Sequence, residues 1–120
     1  MIKNEYFKPA IEWAQRRGFY NIRANYEDFD KPIQFSQDSE DKPFTPDITG
    51  YKSENKHYIE IATKSENASR TVSKWNLLST LARMKGGTLY LLAPKGHKAF
   101  AERIIKKHRL RAQVVDLNVS

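Results

Sequence analysis

Thr88-Leu89-Tyr90-Leu91-Leu92-Ala93 is almost wholly apolar and stands between Gly86-Gly87 and Pro94. A run this short, without alternation and closed at both ends by turn residues, reads as a strand buried on both faces. A strand of that kind belongs at the centre of a sheet, so the rest of the chain has to supply flanking strands and a covering layer of helices. With 120 residues there is room for one domain of about five strands and a few helices, and no more.

The remaining pattern fills that frame. From Asn4 to Arg17 the apolar positions Tyr6, Phe7, Ala10, Trp13 and Ala14 recur at spacings of three and four, which predicts a helix that Gly18 stops. Phe19 to Tyr26 predicts a first strand. Residues 27–43 are acidic, polar and broken by Pro32, and read as an irregular or mobile loop, either functional or a surface insertion. Phe44 to Tyr51 and His57 to Lys64 predict two strands joined by the polar turn Ser53-Glu54-Asn55-Lys56. A second helix begins near Ser69 and runs to Lys85 through Val72, Trp75, Leu78, Leu81 and Ala82. After the apolar strand, Pro94-Lys95-Gly96 turns into a third helix, His97 to His108, and Gln113 to Val119 supplies a last strand. The expected order is α-β-β-β-α-β-α-β. The loop from Ala93 to Lys98 lacks the repeated glycines and the Lys-Ser or Lys-Thr ending of a phosphate-binding loop, which argues against a nucleotide fold.

Composition narrows the chemistry. Cysteine is absent, which removes thiol nucleophiles and thiolate zinc sites, and the three histidines, His57, His97 and His108, are scattered. No stretch approaches the roughly 18 apolar residues of a membrane span, and Met1-Ile2-Lys3-Asn4-Glu5 lacks the apolar core of a secretory signal, so a soluble cytoplasmic protein with no membrane partner is expected. Residues 1–60 carry 9 Lys and Arg against 11 Asp and Glu, a net −2, whereas residues 61–120 carry 12 against 3, a net +9. Such a basic half suits a polyanion, a nucleic-acid backbone or an anionic lipid surface, although basic surfaces without a nucleic-acid partner are common.

Two acidic residues stand out by position. Asp47 follows Pro46 near the start of one strand, and Glu60 lies thirteen residues on, between Ile59 and Ile61, near the end of the next. On neighbouring antiparallel strands the two meet at one end of the sheet, and Glu60 falls on an inner strand where an unpaired carboxylate would be costly. Paired carboxylates of this kind can hold a hard divalent cation, with water and a substrate phosphate completing its shell. The plainer alternative is a turn residue and an ion-paired strand residue.

This arrangement resembles the PD-(D/E)xK nuclease superfamily, which includes restriction enzymes and the Holliday-junction resolvases. Pro46-Asp47 matches the proline-aspartate, Glu60 matches the later acid, and Arg16-Arg17-Gly18-Phe19 is similar to the exit of the resolvases' first helix. The resemblance covers residues 4 to 93 and implies a restriction-endonuclease-like, three-layer α/β fold with a mixed central sheet. It also implies a Mg2+- or Mn2+-dependent DNA endonuclease acting as a homodimer, with Asp47 and Glu60 as metal ligands and Glu5 or Glu12 of the first helix as a further one. The departure is Ala62, which stands where the family has lysine. Lys64, on the same face about 7 Å further along an extended strand, is the expected replacement; Arg70 and Lys74 of the second helix are the others, and loss of cleavage is the remaining reading. Arg70, Lys74, Arg83 and Lys98 are the expected nucleic-acid contacts. Trp75 reads as core, Tyr51 and Tyr58 as residues shaping the active face, and Asp38, Glu40 and Asp41 as a solvated segment or a phosphate mimic.

Overall fold

The computed structural model describes residues 4–37 and 42–118. Asp38, Glu40 and Asp41, and the expected end of the last strand at Val119, lie outside them. The elements run α1 (Asn4–Arg16), β1 (Tyr20–Ala24), β2 (Ile48–Lys52), β3 (Asn55–Ile61), α2 (Ala68–Met84), β4 (Leu89–Pro94), α3 (Lys98–His108) and β5 (Gln113–Leu117).

All five strands form one mixed sheet in the order β1-β2-β3-β4-β5. β1, β2 and β3 make an antiparallel meander, with Ile48 opposite Ile59 and Thr49 opposite Tyr58. β4 and β5 then add parallel to β3, each reached through a helix. Parallel neighbours require such crossovers, and two crossovers advancing in the same direction put α2 and α3 on the same face.

The result is a helix layer on each side of the sheet. On one face Phe7, Ala10, Ile11 and Ala14 of α1 pack on Ile48, Ile59, Ile61 and Leu92. On the other, Trp75, Leu78 and Ala82 of α2 and Phe100, Ala101 and Ile104 of α3 pack on Tyr58, Leu89, Leu91 and Ala93. β4 therefore sends alternate side chains into two apolar layers, which accounts for its unbroken hydrophobic sequence.

Glycine is required at two joints. Gly18 ends α1 with φ +88°, a left-handed conformation that other residues adopt at a cost. Gly87 passes so close to the start of β3 that a Cβ there would lie 1.8 Å from the Lys56 carbonyl oxygen. Residues 25–37 have no regular secondary structure, but the excursion is closed by a bridge in which Phe35 and Phe44 exchange backbone hydrogen bonds of 2.8 and 2.6 Å.

Two boundaries differ from the sequence expectation in ways that matter for the site. Asp47 precedes β2 and sits in the bend that enters it. β3 ends at Ile61, because Ala62 makes one more bond to the Leu92 carbonyl and Thr63 then turns its amide back onto the Ile61 carbonyl at 3.2 Å. Lys64 lies beyond the strand, so the extended-strand parity that paired it with Glu60 does not apply.

Candidate active site

Asp47 and Glu60 are buried, at 4% and 0% exposure, and each fixes the other's strand. The Asp47 amide donates to Glu60 Oε2 at 2.7 Å, and the Ile61 amide donates to Asp47 Oδ2 at 2.8 Å. This reciprocal clasp follows from register: continuing the Ile48–Ile59 pairing by one step brings residue 47 opposite residue 60. Carboxylates taken out of water in this way need partners for their other oxygens.

Lys74 provides for both. Its Nζ lies 3.0 Å from Glu60 Oε1 and 3.7 Å from Asp47 Oδ1, and its side chain is 17% exposed. Burial by itself would lower the Lys74 pKa, but the charges of Glu60 and Asp47 and the hydrogen bond to Glu60 outweigh it and raise the pKa above its ordinary value. Helical spacing explains how the residue arrives there. Lys74 is one position before buried Trp75 and four before buried Leu78, so it rides the edge of the stripe that α2 turns to the sheet.

Glu60 and the Lys74 ammonium line a cleft of about 740 Å³ at the end of β3, together with Glu5, Tyr6, Lys64, Glu66, Thr71 and His97; Asp47 lies behind them and is not part of its lining. Of the two helical glutamates, Glu5 reaches this wall. Glu12 is exposed two turns further along α1 and lines none of it, because seven residues of helix carry it about 10 Å from Glu5. Among the described residues no third acid or histidine gathers with Asp47 and Glu60 into a cluster of three.

The ammonium that lies against the two carboxylates is that of Lys74, one of the alternatives to Lys64 that the sequence offered. Lys64 is exposed on the cleft wall, with its amide donating to His97 Nδ1 at 2.8 Å. Arg70 has an intramolecular role: its guanidinium donates to the Lys42 and Pro43 carbonyls at 3.4 and 3.1 Å and stacks 4.3 Å from the Phe44 ring, tying α2 to the segment that leads into Asp47. Arg83 is exposed in the last turn of α2, roughly 13 Å along the axis from Lys74, where a cation complements the helix dipole. Lys98 opens α3 and pairs with Asp116 at 3.3 Å, both exposed, beside a neighbouring cleft. Trp75 is core against Phe100, and Tyr58 is buried against Phe35. Sequence reasoning missed Glu66 and His97; no periodicity marks them, since each sits in a connection.

The donor set suits a hard divalent cation. It consists of oxygen ligands only, and two of them already converge on a single positive charge, while the opposite oxygens are held by amides that fix the orientation. The described residues supply two carboxylates, so water and substrate oxygens would provide the remaining positions. No family model matches this chain, and neither a curated protein nor a solved structure matches it.

Proposed function

We propose that this chain is a Mg2+- or Mn2+-dependent endonuclease that hydrolyses DNA phosphodiesters, a PD-(D/E)xK-type enzyme whose ammonium comes from α2. The observation that carries the proposal is the convergence of Asp47 Oδ1 and Glu60 Oε1 on Lys74 Nζ. Asp47 and Glu60 would hold the ion. When bound, such an ion neutralises charge developing on a phosphoryl oxygen and acidifies water. Lys74, on the cleft wall beside the two carboxylates, would orient the attacking water and pair with the phosphate. In the hydrolysis a water gives up one proton as its oxygen bonds to phosphorus, the bond from phosphorus to the departing sugar oxygen breaks, and that oxygen takes up a proton in its place. The net +9 of residues 61–120, much of it exposed on and after α3, suits the backbone of a duplex. A homodimer acting on DNA in the cytoplasm is part of the same proposal.

One observation favours a second reading. Lys74 already balances one of the two buried carboxylate charges without any metal, so the same fold would persist as a non-cleaving module that binds nucleic acid or a protein partner. Incubation of wild type, Glu60→Gln and Lys74→Met with supercoiled and branched DNA in Mg2+ or Mn2+ separates the two. Cleavage by wild type, slowed about 100-fold or more in both variants, is the expected result. Equal cleavage by all three would expose a contaminant, and salt-sensitive DNA binding without cleavage by wild type would establish the second reading.

A further inference from the structure

His97 is held on three sides. Its amide donates to the Pro94 carbonyl at 2.9 Å, its carbonyl accepts from Ala101 at the start of α3, and its ring meets Tyr6 edge-on at 6.4 Å. The side chain is held through Nδ1, which accepts from the Lys64 amide at 2.8 Å. A ring nitrogen that accepts from an amide carries no proton, so the amide facing Nδ1 assigns the imidazole proton to Nε2. Among the described residues no hydrogen bond to Nε2 occurs, and the half-buried ring lines the same cleft as Glu60 and Lys74.

The tautomer limits what the ring can do. With Nδ1 occupied and Nε2 protonated, His97 is neither a metal ligand nor a general base unless the Lys64 contact breaks. A fixed N–H donor remains. The same cleft is lined by the Lys64 and Lys74 ammonium groups and the Thr63 and Ser65 hydroxyls, and by the carboxylates of Glu5, Glu60 and Glu66. The ammonium and hydroxyl donors match the acceptor oxygens of a phosphate group, and the divalent ion proposed above would offset the carboxylates. We propose that His97 Nε2–H binds a non-bridging oxygen of a substrate phosphate, with the β3–α2 connection acting through the Lys64 amide to fix its tautomer. The proposal deepens the nuclease reading and rests on it for the identity of the substrate.

The test uses His97→Asn, whose side-chain oxygen can keep accepting from Lys64 but whose amide is too short to replace Nε2–H, and His97→Gln, which reaches the cleft but loses the anchor. Nitrogen–proton correlation spectra of the wild type should show Nε2 protonated and Nδ1 bare. Titration with inorganic phosphate and with a phosphorothioate oligonucleotide should shift Nε2. His97→Asn should keep the wild-type melting temperature and bind the oligonucleotide about tenfold more weakly. A proton on Nδ1, or wild-type binding by His97→Asn together with destabilised His97→Gln, would overturn the assignment and leave His97 a structural prop. Phosphate-dependent shifts and weakened binding without cleavage by wild type would retain the donor and remove the nuclease; cleavage unaffected by His97→Asn would do the reverse.

Discussion

Replacing Lys74 by methionine keeps most of the side chain's volume and removes its charge, which isolates what the ammonium does. Glu60 is fully buried and Asp47 nearly so, and the methionine leaves their two charges facing each other. Breaking a buried ion cluster by removing one partner costs about 3–5 kcal/mol. For a domain of this size that corresponds to a fall in melting temperature of roughly 12–20 °C, a large part of the stability such domains have. Urea denaturation at several pH values gives the measurement. In the variant one buried carboxyl is expected to take up a proton, so the deficit should shrink between pH 8 and pH 5. In the wild type the raised pKa of Lys74 means that its contribution is complete below the ordinary value of 10.5 and is lost as pH climbs through the raised one. The same deletion in a Glu60→Gln background should cost much less, because one of the stranded charges is already gone. Mg2+ adds a second arm. An ion that binds only the folded state stabilises it by about 2.7 kcal/mol at 100 times its Kd, and it should stabilise Lys74→Met at lower concentrations than wild type, since no ammonium competes for the carboxylates. A variant within about 1 kcal/mol of wild type, flat between pH 5 and 8 and unresponsive to Mg2+, would refute both the buried-triad energetics and the metal assignment.

Two further outcomes test the scaffold. His57 is buried, accepts from the Thr88 amide through Nδ1 at 3.0 Å and packs on Phe19 and Tyr90; desolvation lowers its pKa below the usual 6.5. The unfolded chain therefore binds this proton first, and stability should fall as pH drops from about 6.5 toward the lowered folded value, a slope that His57→Asn flattens in urea titrations. Gly87→Ala would drive a methyl group into the Lys56 carbonyl; a destabilisation of about 3 kcal/mol or more is expected by calorimetry, and a stable variant would refute the close approach of α2's exit to β3.

The parts of the fold that were legible in the sequence are those where one physical signal dominates. β4 announced itself because burial on both faces leaves no polar position, and α1 because its apolar stripe ends at a glycine with no competing pattern. Ile59 and Ile61 alternating with Tyr58 and Glu60 gave β3 its faces, and register then brought Asp47 to Glu60. The strand's end was not legible. Ala62, Thr63 and Lys64 continue the alternation on paper, and the turn at Thr63 depends on the partners of this segment, the Leu92 carbonyl and the His97 ring, which lie about thirty residues away. Lys74 was visible as a cation on a helix, yet α2 has many polar positions, and only its rotation on the sheet selects which of them turns inward. Arg70 looked equally suited to a phosphate; the Pro43 carbonyl and the Phe44 ring that engage it belong to an irregular segment with no periodicity to read.

Ala62 is fully buried beneath α2, in the same apolar cluster as Trp75. Trp75, the neighbour of Lys74, packs into that cluster, so the filling of this layer bears on where α2 holds the ammonium. A larger side chain at residue 62 would have to displace atoms of this layer, so the size of residue 62 and the position of the residue 74 ammonium are coupled through packing. A chain with lysine at neither position would strand two carboxylates, whereas a lysine added at residue 62 would have to fit its side chain into a packed apolar layer. Under the nuclease function proposed above, a comparison scoring residue 62 alone would miss the cation that the helix brings to the carboxylates from residue 74.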